Sequence, residues 1–184
     1  PYTCSSGRYG NVFAASTKAE GCPHECPKGR YGMAEAVTSL EAACPSLCPT
    51  GTYGNTTGST TKDGACPFVC SPGRYGTFPG QTSRAQCARC PQGSYCTGGG
   101  RVLCPKGKYG NISGRATEST ACALTCPLGT VGIAEGQVTK ELACDNSCPA
   151  GKYAQISGSD TSCSDCPIGK FGNTPGQISE IAAC

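Results

Sequence analysis

Residues 104–110 read Cys104-Pro105-Lys106-Gly107-Lys108-Tyr109-Gly110, and the next cysteine along the chain is Cys122. The phrase recurs. Cys4, Cys26, Cys48, Cys70, Cys90, Cys104, Cys126, Cys148 and Cys166 each open a unit, and the third residue after every one of them is Gly. The fifth is aromatic in all but one unit, where Val131 stands. Another Gly falls ten residues after the opening cysteine at Gly58, Gly80, Gly100, Gly114, Gly136, Gly158 and Gly176. Self-similarity of this kind marks a repeat protein, in which a unit too small to bury its own apolar face stacks on its neighbours.

Each part of the phrase has a physical reading. Cys-Pro-x-Gly fits a type I turn, with Pro where φ must lie near −65° and Gly closing it. Gly-x-Tyr-Gly is too glycine-rich for a helix and suits a short extended piece. The aromatic is expected to lie over a disulfide or against the neighbouring unit. Residues 34–43, with Val37 and Leu40 three apart, resemble a helical turn or two. Their counterpart, residues 56–65, carries two Gly and four Thr, so both are read as loop.

Composition excludes an ordinary core. Leu, Ile, Val and Phe number 22 of 184 residues and Trp is absent. That lies well below the share, roughly 20%, at which burial offsets chain entropy. Disorder is not the alternative, because the net charge is only +3 and the chain carries 18 Cys at regular spacing. An even, spaced set of cysteines reads as a disulfide framework, and such frameworks persist outside the cell or on its surface. The mild basic balance is spread along the chain and gives no argument for nucleic acid. No apolar run approaches the roughly 18 residues of a membrane span. Export requires a targeting segment, expected to have been removed or to lie outside this piece.

Eighteen cysteines permit very many connectivities, but equivalent units should make equivalent bonds. Pairing across the long gaps gives Cys4–Cys22, Cys26–Cys44, Cys48–Cys66, Cys70–Cys87, Cys104–Cys122, Cys126–Cys144, Cys148–Cys163 and Cys166–Cys184, with Cys90–Cys96 in a truncated unit. Pairing across the short gaps would strand Cys4 and Cys184. The units group as four repeats over residues 1–89, an irregular short one over 90–103, and four more over 104–184.

The phrase Cys-Pro-x-Gly-x-Tyr/Phe-Gly, closing in Cys-x-x-x-Cys-Pro, resembles the ephrin-receptor-like cysteine-rich repeats, related in style to tumour necrosis factor receptor modules and furin-like repeats. Cys104-Pro-Lys-Gly-Lys-Tyr-Gly and Cys166-Pro-Ile-Gly-Lys-Phe-Gly carry the likeness, which covers essentially the whole chain. The family implies that an opening cysteine bonds the one ending its own loop. It also implies a place in large surface or secreted proteins as a spacer, adhesion stalk or fibre subunit. The closing spacing departs from the commoner Cys-x-x-Cys, found here only at Cys87/Cys90 and Cys163/Cys166.

Chemistry-bearing residues are few. The single His, His24, sits in a Cys-Pro-His-Glu-Cys junction, and with four Asp in the chain no nucleophile–base set can be written. Neither a catalytic residue, a metal site nor a cofactor is expected; zinc would explain four cysteines where disulfides explain all. Asn55-Thr-Thr and Asn111-Ile-Ser are N-glycosylation acceptors, both seven residues after an opening cysteine. Asn11 and Asn173 share that position without the sequon, and the Thr-rich residues 56–61 are candidates for O-linked sugar. A basic residue lies four after the opening cysteine in six units, and acids lie 14 to 16 after it, which repetition would arrange as opposed stripes or as plain solvated surface.

The expected fold is small and disulfide-rich, an elongated tandem array of short β-hairpin and turn units with little helix and no single hydrophobic core. The expected function is non-catalytic: a subunit or segment of an extracellular filament, coat or appendage. Its partners would be copies of itself or neighbouring repeats, and covalent glycans. The alternatives are a receptor or adhesion ectodomain binding a protein or glycan ligand, with the irregular middle as its special surface, or a passive spacer stalk.

Overall fold

The computed structural model describes residues 3–10, 12, 14–127, 129–157 and 160–184; Asn11 and Gly158 lie outside them. The chain forms two units. The first comprises Pro1–Ala88 with Thr97–Gly100, the second Arg89–Cys96 with Arg101–Cys184, so the short repeat opening at Cys90 is shared between them.

All eighteen cysteines are paired, each opening cysteine with the next cysteine along: Cys26–Cys44 and Cys104–Cys122 across 18 residues, Cys148–Cys163 across 15, and Cys90–Cys96 across six. Secondary structure is short, and every sheet among the described residues has two strands. In the second repeat Arg30–Tyr31 pairs antiparallel with Ser46–Leu47, the two residues just ahead of the next opening cysteine. The strand pair and the disulfide thus clamp the same loop at adjacent points. The longest pair, Lys152–Ser157 with Asp160–Asp165, belongs to the repeat with the shortened 15-residue loop.

Two details differ from the sequence reading. The turn after the opening cysteine is Pro27-Lys28-Gly29-Arg30, closed by the Arg30 N–H on the Pro27 carbonyl at 3.1 Å. Gly29 is its third residue, with φ +75°, which is the requirement of a type II turn rather than type I. Nor are residues 34–43 and 56–65 all loop. Each ends in a single helical turn, Leu40–Ala43 and Lys62–Ala65. Ser39 and Thr61 supply the N-caps, accepting from Ala42 N–H and Gly64 N–H. A side-chain cap satisfies one of the orphan amides of so short a turn, which outweighs the poor helix propensity of Asp63 and Gly64.

The core is made of bonds rather than hydrocarbon. Every buried apolar residue among those described is Cys or Ala, including Cys26, Ala43, Cys44, Cys48, Ala65 and Cys104. The larger apolar side chains Met33, Phe68, Val69 and Leu142 are exposed. Ala43, Ala65, Ala121 and Ala183 hold one position, next to the closing cysteine, and each is packed against the second Gly of the motif. A Cβ on Gly32, for instance, would overlap the Ala43 carbonyl. That close approach is why the phrase ends in Gly.

Candidate functional site

The recurring feature with chemistry specific enough to recognise anything is the face by which one repeat meets the next. Tyr9, from the first repeat, packs on the second repeat's disulfide, against Cys26, Ala43 and Cys44, alongside Val37 and Leu40. Tyr31 covers Cys48, Ala65 and Cys66 in the same way, and Tyr95 covers Cys104, Ala121 and Cys122. The aromatic therefore lies both over a disulfide and against a neighbour, because the disulfide it shields belongs to the following repeat. Tyr9 also stacks on His24 and Tyr53 on Phe68, their cross-strand partners, with ring centroids 5.1 and 5.4 Å apart.

Backbone hydrogen bonds fix the register of this contact. In six repeats the residue ten after the opening cysteine donates its N–H to the opening cysteine of the preceding repeat: Ala36 to Cys4 at 2.8 Å, Gly58 to Cys26 at 2.8 Å, and Gly80 to Cys48 at 2.7 Å. The second unit repeats the pattern with Gly114 to Cys90, Gly136 to Cys104 and Gly176 to Cys148. A second bond runs the other way, from Gly10 N–H to the Val37 carbonyl and from Gly32 N–H to that of Ser59. Satisfying buried backbone groups between repeats removes the desolvation cost that an unpaired amide would carry.

The contact also skips a repeat. Gly7 lies against Gly58, Gly29 against Gly80 and Gly51 against Gly99, pairs that join each repeat to the next but one; Gly93 with Gly136 and Gly129 with Gly176 do the same in the second unit. The ten-residue Gly has positive φ at Gly58, +66°, and at Gly80, +76°. Ala14 and Ala36 occupy that position at φ +56°, a region costly for a residue with a Cβ.

The basic residue four after the opening cysteine finds its partners close to its own repeat. Arg8, Arg30 and Arg74 bring a guanidinium to the carbonyl of their own closing cysteine, Cys22, Cys44 and Cys87. Arg8 also pairs with Glu25, while Lys108 reaches Glu118 and Lys170 reaches Glu180, each at 2.8 Å within one repeat. These exposed pairs are worth little singly.

His24 is exposed in its junction strand, and the cysteines of both Cys-x-x-Cys spacings are oxidised, in Cys70–Cys87, Cys90–Cys96, Cys148–Cys163 and Cys166–Cys184. Asn55 and Asn111 are exposed, Asn55 in the first unit and Asn111 in the second. The Thr57 hydroxyl of the first sequon donates to Glu25 Oε2 at 2.7 Å. Among the described residues no helix is long and apolar enough to cross a membrane.

Reasoning from sequence missed the caps and the skipping contact. The signal for the first was present: the N-cap residues Thr17, Ser39, Thr61, Ser83, Thr117, Thr139 and Ser179 all stand thirteen residues after an opening cysteine, although Thr161, at the same spacing, lies in a strand. The second is a backbone-to-backbone approach and leaves no signal beyond the Gly positions themselves.

The chain matches no protein-family model, and no curated protein matches it. Its nine disulfides and recurring units are those of a cysteine-rich repeat protein, and they fit an oxidising, extracellular setting.

Proposed function

We propose that the chain is a non-catalytic structural segment or subunit of an extracellular filament, coat or appendage, built from repeats of the ephrin-receptor-like style. The observation that carries this reading is the recurrence of one docking geometry between successive repeats, from Ala36 on Cys4 to Gly176 on Cys148. A surface committed to like repeats serves assembly, and disulfides in place of an apolar core suit a material that must keep its shape outside the cell. On this reading Asn55 and Asn111, exposed beside the Gly turns, carry N-linked glycans. Replacing each by Gln then removes one step of apparent mass.

Electron microscopy of intact source cells, labelled with an antibody to the native chain, tests the reading. Label along extracellular filaments, coats or appendages is expected. Label confined to the cell interior, or found only on freely diffusing protein in the medium, would contradict it.

A further inference from the structure

The chain's mild basic balance is less even than its net charge of +3 suggests. Between Asp63 and Glu118 the sequence holds seven basic residues and no acidic one, so all twelve acids lie outside that stretch. The fourth repeat, opening at Cys70, falls wholly within it. Elsewhere a basic side chain four after the opening cysteine meets an acid ten residues further on: Lys108 reaches Glu118 and Lys170 reaches Glu180, each at 2.8 Å. In the fourth repeat the same two positions are Arg74 and Arg84. A second cation stands where the other repeats place the acid that closes the pair.

Both arginines are positioned by backbone rather than by a carboxylate. Arg74 belongs to the strand Arg74–Tyr75, and its Nη1 donates to the Cys87 carbonyl at 2.8 Å. Arg84 opens the single turn Arg84–Gln86. Gln86 Oε1 ties that turn down by accepting from the Thr82 amide at 2.6 Å and the Ser83 amide at 3.2 Å. The buried Gln81 donates in turn to the Gln86 carbonyl at 2.6 Å. Among the described residues, Arg74, Arg84 and Ala85 line a cavity of about 360 Å³, and neither arginine forms an ion pair. Two like charges on one cavity repel, and an anion between them turns that cost into two attractions. Arg74 has four of its five guanidinium N–H groups left to give.

From this pair we infer that the fourth repeat binds an acidic polysaccharide, a sulfate or carboxylate group of the sugar chain seating between Arg74 and Arg84. The guanidinium fork offers paired N–H donors to two oxygens of one such anion. Charge complementarity favours a polymer over a single ion. In the second unit Arg89, Arg101 and Lys106 are exposed as well, on a part of the sequence that holds no acid to repel an anionic chain. The oxidising setting that the disulfides require is one where polysaccharide, rather than nucleic acid, is the polyanion at hand. The inference needs only that setting, and it goes beyond the structural reading above without depending on it.

Titration calorimetry of the native, non-reduced chain at about 0.15 M salt, with heparin as the sulfated probe and polygalacturonate as the carboxylated one, tests the site. Binding of at least one is expected, weakening as salt rises. Heparin alone assigns sulfate as the anion, and polygalacturonate alone assigns carboxylate. Arg84→Gln removes one cation and should weaken binding about tenfold. Arg84→Glu rebuilds the pairing seen at Lys108–Glu118, so Arg74 is occupied too and the loss should approach about a hundredfold. Lys18→Glu makes the same charge change at the same position of the first repeat, where Arg8 already pairs with Glu25, and should cost less than about twofold. Disulfide mapping of each variant confirms that the repeats remain closed. Binding of neither polysaccharide, equal losses for Arg84→Glu and Lys18→Glu, or tighter binding of single-stranded DNA than of both sugars would overturn the proposal.

Discussion

The Gly58 amide donates to the Cys26 carbonyl at 2.8 Å, tying the third repeat to the first cysteine of the second, while the Gly58 carbonyl lies against Gly7 of the first. One residue therefore touches two earlier repeats, and its positive φ is what turns both backbone groups toward them.

Substitution at these glycines should separate strain from collision. A Cβ on Gly58 meets nothing closer than ordinary contact with Glu25, so Gly58→Ala should cost only the left-handed backbone, about 1 kcal/mol. Gly7→Ala adds overlap with the Gly58 carbonyl, and its loss should be clearly larger, about 3 kcal/mol. The reverse change, Ala36→Gly, should stabilise by about 0.5–1 kcal/mol. Chemical denaturation of the oxidised chain reads all three.

Tyr31→Ala should destabilise by about 2 kcal/mol, since a half-buried ring is lost. More telling is where the damage falls. Under limiting reductant the variant should expose Cys48 and Cys66 to alkylation before Cys26 and Cys44, because the ring shields the following repeat's disulfide. Faster opening of Cys26–Cys44 would contradict that assignment.

Much of this architecture is legible in spacing alone. The cysteine series and the Gly after each opening Cys declare small disulfide-rich units, and 22 large aliphatic and Phe residues in 184 exclude a common core. The one-turn helices were not legible by propensity, because Lys62–Ala65 contains Asp63 and Gly64; their cause is a single hydroxyl at Thr61. The turn at Pro27 was misplaced by one residue, since the Pro of Cys-Pro-x-Gly stands first in its turn rather than second. The docking face was half legible: Tyr9 and Tyr31 announce contacts, but not which disulfide they cover. Pairing of Gly7 with Gly58 has no side chain to betray it.

Loop length should grade the disulfides. Replacing Cys48 and Cys66 together by Ser releases an 18-residue loop and should cost about 3 kcal/mol in the chain-entropy picture. The same change at Cys90 and Cys96 releases six residues and should cost about 2 kcal/mol. Thermal unfolding of the two double variants, compared with the parent, gives the order.

Glu20 offers a pH test. Its carboxylate accepts from the Ser16 hydroxyl at 2.6 Å and from the Ser16 and Thr17 amides, which holds its pKa below the ordinary glutamate range. The folded state therefore keeps the charged form more strongly than the unfolded chain does. Its contribution to the Lys18–Gly21 turn is complete above the unfolded pKa and disappears as pH falls through the lower folded one. NMR titration of the Glu20 carboxyl should show the depression, and Ser16→Ala should relax it toward the ordinary range; no change on losing Ser16 would refute the cause.

The most direct measurement of the central claim, that each repeat is stapled within itself, is mass-spectrometric mapping of the non-reduced chain. The account predicts nine links, each joining an opening cysteine to the next cysteine along, including Cys26–Cys44, Cys48–Cys66 and Cys90–Cys96, with no free thiol. Links across the junctions, such as Cys22–Cys26 or Cys44–Cys48, would contradict it.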